Sequence, residues 1–556
     1  MPVKNAIRVV LPALMMLWAI PFDSHSQVYL FNDEVEVTGT VTAEFSGYST
    51  TSQFRRRDPL GFRLIGNHRI TYKGWEIPMN YVLGTYQDKF RQSFNKIGLS
   101  PEYKDWLTIH LGHRNVRFSP LTLAGKTILG AGFEVQRKRF RFGFIAGRFG
   151  RAIPLDTTAA NLPAYRRTGF AARIGYGTEH NYVDLIFLKG KDRESSLDSL
   201  QAGRVSPEEN AVLGLRVYQR IIQRFYFEFD AALSAYSRDT RVGEPDGIDL
   251  GVADLMRVFL PLRKSNQYLF AIKSKLEYRH KQVTAGIDYD RIEPDYQSMG
   301  AWYIRNDIER ASLYTRFSIF KRKVNAFFRF GIQRNNLLNN RSANSFQNIL
   351  NVTVNYIHSP EWNFRAGFAN YVTRQELAIG GISDSTLLEQ RINNVNASVT
   401  HKMRSSSFNH MFRVHAGYQK SDNKAAQPGT AEFRSFYLNM LYRISPKKSI
   451  WHVAPTFILN SYKSAGIPAT RYSPGFMTGI RTKDRKLQAS LTSMFVFIRR
   501  DGEPQRLVFR NTLNASYSPF KKHTIGLRVS LANNDQRLGP GTYSEFQGEI
   551  RYTIRL

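Results

Sequence analysis

The sequence predicts an all-β fold, a transmembrane antiparallel up-and-down β-barrel of about 26 strands (24–26), and three observations predict it. Phe546, Gly548, Ile550, Tyr552, Ile554 and Leu556 alternate strictly with Glu545, Gln547, Glu549, Arg551, Thr553 and Arg555. Segments of the same kind recur from one end of the chain to the other. Short, mostly basic turns alternate with longer irregular connections. A period-2 pattern with one apolar and one polar face suits a strand that meets lipid on one side and a wet interior on the other. Mean hydropathy is only -0.38, because such a strand places every second residue in lipid.

From the N-terminus, Lys4 and Arg8 precede an apolar run from Val9 to Ile20, and Ser24 and Ser26 have the spacing a signal peptidase reads. Residues 1–26 are therefore expected to be a Sec-type signal peptide cleaved before Gln27. The run is too short for a membrane-spanning helix. Residues 27–33 are expected to be a short periplasmic segment, and 34–556 the barrel. Without a cysteine there is no lipoprotein anchor, disulfide or Cys metal site.

The first strand sets Val35, Val37, Gly39, Val41, Ala43 and Phe45 against Glu36, Thr38, Thr40, Thr42 and Glu44. Later examples are Leu350, Val352, Val354 and Tyr356 against Asn351, Thr353 and Asn355, and Ile525, Leu527, Val529 and Leu531 against Thr524, Gly526, Arg528 and Ser530. An even strand number leaves both ends on the periplasmic side. The short turns include Lys73-Gly74, Lys104-Asp105, Arg137 to Arg139, Lys321 to Lys323, Ser445 to Lys448, Lys483 to Lys486 and Ser518 to Lys522; the long class includes Gly190 to Glu209, Ser237 to Gln267 and Glu376 to Glu389. The two classes are expected to alternate without a slip, short turns periplasmic and long loops extracellular. Trp75, Trp106, Trp362 and Trp451 each follow a short turn, which predicts an interfacial girdle of amphipathic indoles.

So wide a barrel needs something in its lumen. Val252, Leu255, Met256 and Phe259 fall at helical spacing in the longest loop, which is compatible with an inward constriction or with a helix capping an external loop.

Formal charge is +33, and the inward faces are rich in cations. Candidate lumen-lining residues are Arg114, Arg141, Arg173, Lys273, Lys275, Arg279, Arg316, Arg329, Arg365, Arg510, Arg528 and Arg551, whose summed field favours an anionic solute. Glu228 and Asp230, Lys273 to Arg279 with Glu277, and Asp288 and Asp290 lie on three consecutive segments and are expected to pair as a ladder that stiffens the wall. The basic turns fit anionic headgroups of outer-membrane lipid, or an acidic periplasmic or outer-membrane protein partner.

Export and the absence of a recognition module argue against nucleic acid. No GxSxG, HExxH, glycine-rich phosphate loop or paired-ligand spacing is present, so no catalytic residue, cofactor or metal is expected. His110, near Arg114, and His452, beside Trp451, are read as structural.

The signal, the hairpins and the last strand ending Tyr552-Thr553-Ile554-Arg555-Leu556 resemble large single-chain bacterial outer-membrane β-barrel proteins. That resemblance implies a multi-pass protein of the Gram-negative outer membrane. It is compatible with a porin-like channel or transporter for polar or anionic solutes, or with a non-conducting accessory barrel of an assembly, secretion or surface-export complex.

Overall fold

The computed structural model describes residues 28–29, 35–53, 56–85, 94–155, 162–245, 256–377, 388–423, 432–536 and 541–556. The expected signal peptide lies outside them, as do Val252 and Leu255.

Every strand pairs antiparallel with its sequence neighbour, and the strand Val35–Thr50 closes the ring by pairing with Tyr543–Arg555. The 28 strand segments include the two-residue Val28–Tyr29 and one crossing interrupted into Lys96–Leu99 and Glu102–Tyr103, which leaves 26 crossings. The interruption falls at Ser100-Pro101, since proline has no N–H for the ladder. Ser100 N still donates to the Pro78 carbonyl at 2.9 Å, and Ile109 N donates to the Pro101 carbonyl at 2.8 Å. No described helix is long and apolar enough to cross a membrane; the chain crosses with strands.

The closing seam is held by side chains as well as by ladder bonds. Thr42 and Thr553 hydroxyls meet at 2.9 Å. Glu44 is buried between Arg63 and Arg551, the latter at 3.0 Å. Beyond Thr40 the last strand has ended, and Val28–Tyr29 pairs with Val37 and Glu36 in its place. This covers part of the strand edge that would otherwise remain open.

One face of the ladder carries large exposed apolar side chains, such as Ile174 at 61%, Leu185 at 56% and Ile550 at 52%. The other carries the charges, so the apolar face is the outer, lipid-facing wall. Trp75 lies on the outer row with Tyr72 and Val35, and Trp362, opposite His401, lies on the same face as the pair Phe364 and Val399. With Trp106 and Trp451, both stand at the short-turn end of the barrel. Arg137 lies over the Trp106 ring at 5.6 Å.

Lys73 and Gly74 both have positive φ, 44° and 82°, the backbone that a two-residue turn needs to match strand twist. The same chemistry appears where long loops were expected. Ala465-Gly466 (48° and 82°) and Asp501-Gly502 (53° and 80°) form two-residue turns at the opposite end. The alternation of short and long connections therefore slips in the C-terminal quarter.

The segment starting at Met256 neither enters the lumen nor caps a loop from above. Met256 to Leu260 makes a single helical turn that packs on the outer wall, where Met256 and Leu260 are fully buried against Ala211 and Ala235. Phe259 contacts the outward Phe187 at 4.8 Å between ring centroids. Lys189 donates to the Phe259 carbonyl at 3.0 Å.

Candidate functional site: a ledge inside the lumen

The ladder register sets all the predicted lumen cations on the inner face. Arg141, Arg173, Lys275, Arg279, Arg329 and Arg551 are paired there. Arg141 clamps Asp184 through Nε at 2.8 Å and Nη2 at 3.2 Å, and lies 4.0 Å from the Tyr182 ring centroid. Arg173 reaches Glu134 at 2.7 Å, Lys275 reaches Glu277 at 3.0 Å, and Arg551 also meets Glu549 at 2.8 Å. Arg279 pairs with Glu277 and Arg329 with Asp288. Arg114, Lys273, Arg316, Arg365, Arg510 and Arg528 make no ion pair among the described residues; Arg316 instead lies over the Phe327 ring at 5.4 Å.

The residues of the expected charge ladder face one another in two rows, Glu228, Lys275 and Asp288 in register and Asp230, Lys273 and Asp290 beside them, but the expected pairing across these rungs is not made: Lys275 pairs along its own strand with Glu277. Asp290 and Asp288 pair instead with later strands, Asp290 with Arg310 at 2.5 Å and Asp288 with Arg329. His110 is held between the Ser100 hydroxyl at 3.0 Å and Glu134 at 3.1 Å. That is a wall-stiffening network, as the lone histidine suggested. Among the described residues no three His, Asp or Glu side chains gather as a metal site.

Two connections, 115–127 and 293–307, fold into the lumen. Sequence reasoning missed both, although the signal was present: Val116, Phe118, Leu121 and Leu123, and Tyr296, Met299 and Ile304, are too apolar for solvated loops. Leu121, Leu123 and Tyr296 have no exposed surface, packed against the inward Ile186, Leu188 and Val212. The two segments also bond to each other. Tyr296 Oη donates to the Leu121 carbonyl at 2.9 Å, Ala124 N to the Gly300 carbonyl at 3.2 Å, and Trp302 N to the Ala124 carbonyl at 3.1 Å.

Wall glycines provide the seats. A Cβ at Gly143 would stand 2.9 Å from the Phe118 ring, and one at Gly190 would stand 2.9 Å from Met299 Sδ. Wall arginines hold the first segment from its sides: Arg173 lies 5.0 Å from the Phe118 ring centroid, and Arg216 donates to the Phe118 carbonyl at 3.4 Å.

The free edge of this buried platform is aromatic and cationic. Trp302 is 65% exposed and Tyr303 is 78% exposed, and Arg117 and Arg305 beside them are exposed with no ion pair among the described residues. These four residues line a space of about 440 Å³. It adjoins a second of about 350 Å³ over the charge ladder, with Pro120, Lys273, Asp290 and Arg310 common to both. Exposed rings with free guanidinium groups can stack on a planar or pyranose face of a solute and hold an anionic group.

Above the strands, Asp239 is clamped by Arg241 through Nε at 2.9 Å and Nη2 at 2.8 Å, which lowers its carboxyl from 3.8 to about 2. A depressed carboxylate contributes stability above its unfolded value and loses it as pH falls through the folded value. Protease nicking at 238–241 should therefore be constant from neutral pH down to about 4 and rise only between about 4 and 2. A rise beginning near pH 6 would contradict this clamp.

No family model matches the chain, and no curated protein does. Among solved structures it resembles the P pilus tip assembly intermediate PapC-PapD-PapK-PapG of E. coli (TM-score 0.43, 11% identity, 97% of this chain and 63% of that one). It also resembles the copper transporter OprC (TM-score 0.39, 9% identity, 95% and 82%) and BauA, the ferric preacinetobactin receptor of Acinetobacter baumannii (TM-score 0.38, 10% identity, 93% and 80%).

Proposed function

We propose that the chain is an outer-membrane channel or transporter for polar or anionic solutes, exported by a signal cleaved before Gln27, with the lumenal ledge as its point of selection. The observation that carries this reading is the ledge itself. Two segments spend their apolar residues on a rigid mount that leaves Trp302, Tyr303, Arg117 and Arg305 facing the interior. A barrel with only a structural role has no use for an exposed aromatic and cationic edge inside its lumen. Unpaired Arg365, Arg510 and Arg528 on the facing half of the wall add to the positive field.

In planar bilayers, reversal potentials in a salt gradient should give an anion preference. Arg117→Glu/Arg305→Glu should reduce it, and Trp302→Ala/Tyr303→Ala should weaken block by aromatic or saccharide anions while leaving small-ion selectivity intact. Cation preference of the parent would overturn the reading.

A second reading is supported by width. At roughly 4.8 Å between strands and a tilt of about 40°, a ring of 26 crossings is roughly 50 Å across. Among the described residues only 115–127 and 293–307 enter it with an apolar core. The remaining room suits a protein occupant, with the basic turns as docking points. A mild-detergent pull-down with charge-reversed turns at Lys321 to Lys323 and Lys483 to Lys486 tests this: loss of a co-purified protein supports it, and unchanged partners leave the turns as lipid anchors.

A further inference from the structure

The outer wall carries a second feature, which solute passage does not use. A groove of about 680 Å³ lies on the lipid-facing side of the strands Phe140–Gly150 and Arg166–Thr178. Its deep end is apolar, walled by Phe144 and Phe170, and its end toward the 151–165 connection carries Arg148 and Arg166, with Leu129 on the rung of Arg148. Phe144 and Arg148 are four residues apart on one strand, so the two ends lie roughly 13 Å apart along it and about 10 Å apart in depth at a tilt of about 40°.

Gly147 and Gly169, which line the groove, belong to a longer row of glycines. Gly98, Gly112, Gly130, Gly147, Gly169 and Gly190 sit in register across six neighbouring strands. A Cβ at Gly130 would overlap the Ala146 carbonyl oxygen, and one at Gly147 would overlap that of Leu129. Such a row lets adjacent strands approach and the wall turn sharply.

The charges at its mouth, Arg148 and Arg166, meet no carboxylate partner among the described residues. Arg166 lies directly opposite Arg193, and Thr168, on the rung of Arg148, lies opposite Lys191. Among the described residues Lys191 has only a carboxylate of Glu209 at 4.0 Å. Like charges directly across a ladder destabilise it, so this corner has an unmet demand for an anion. An anion that reaches it from the membrane side must bring an apolar body, because the groove below is apolar and faces lipid.

We propose that this groove seats an acylated, phosphorylated glycolipid of the leaflet that the long connections face, its phosphate on Arg148 and Arg166 and one acyl chain along Phe144 and Phe170. This rests on the membrane-barrel reading but not on conduction, and the measurements keep the two apart. The full chain in detergent micelles is titrated with a bis-phosphorylated acyl-glucosamine disaccharide, its dephosphorylated counterpart, and inorganic phosphate, with thermal unfolding and native mass spectrometry as readouts.

The phosphorylated lipid should raise the unfolding temperature and remain bound. The dephosphorylated lipid and phosphate alone should not. Arg148→Gln/Arg166→Gln should weaken retention about tenfold or more, since two cations near the headgroup are removed, while bilayer conductance stays at the parental level. Should that variant fail to show heat-shifted migration, Phe170→Ala is the substitute, with the same loss expected. Equal retention of both lipids, or a full effect from inorganic phosphate, overturns the proposal. Parental retention by a folded variant overturns it as well.

Discussion

Replacing residues 294–305 by Gly-Gly should raise single-channel conductance several-fold while the chain still migrates as a folded, heat-modifiable barrel. The strands on either side already pair with each other, Ile292 opposite Ile308, so a short turn can replace the connection without disturbing the ladder. What is lost is the ledge. Tyr296 and Met299 no longer cover Leu121, Leu123 and Leu188, and each removed buried side chain costs about 2 to 5 kcal/mol locally. The 115–127 segment also loses its carbonyl partners at Leu121, Thr122 and Ala124. The unfolding midpoint should fall, since that apolar cluster is shared with the wall. Gly190→Val is a milder version, because its added carbons meet Met299 and displace the ledge without shortening the chain. Parental conductance in both variants would mean that the ledge does not narrow the pathway, and the channel reading would lose the observation that carries it.

Val529→Arg should cost about 2 to 4 kcal/mol of barrel stability, and Ser530→Arg close to nothing. Val529 lies midway along His523–Gln536, opposite Leu513 on one neighbour and Gly548 on the other, all on the lipid-facing side. A guanidinium there sits at membrane depth with no partner. Ser530 is opposite Thr512 and Gln547 on the inner face, where water solvates a cation. Denaturant midpoints in lipid vesicles measure the difference. Equal losses would mean that both faces meet the same medium, which is incompatible with a membrane barrel.

The lipid-facing side of His523–Gln536 is legible in the amino-acid order alone, because Ile525, Leu527, Val529 and Leu531 alternate with Thr524, Gly526, Arg528 and Ser530, and a one-residue slip would invert every side chain. The same period set the strand number, the inward list from Arg114 to Arg551, the short-turn positions of the four tryptophans, and the register of Glu228, Lys275 and Asp288, though not the partners with which these charges pair. All of these follow from local alternation plus the rule that consecutive strands pair.

The ledge does not follow from that rule. Leu121 and Tyr296 are 175 residues apart, and their contact depends on the curvature that brings non-neighbouring connections together inside one ring. A row of six glycines, which permits sharp curvature, is aligned only by the register of six strands at once. Tertiary structure likewise decided that Met256 to Leu260 lies on the outer wall, because an apolar turn is satisfied equally by lumen packing or by outer-wall packing, and only the position of Ala211, Ala235 and Phe187 selects between them. By itself the sequence determined the medium each side chain meets, since that is a property of period and polarity. Which inward or outward groups come together depended on closure and bending, which no single strand encodes.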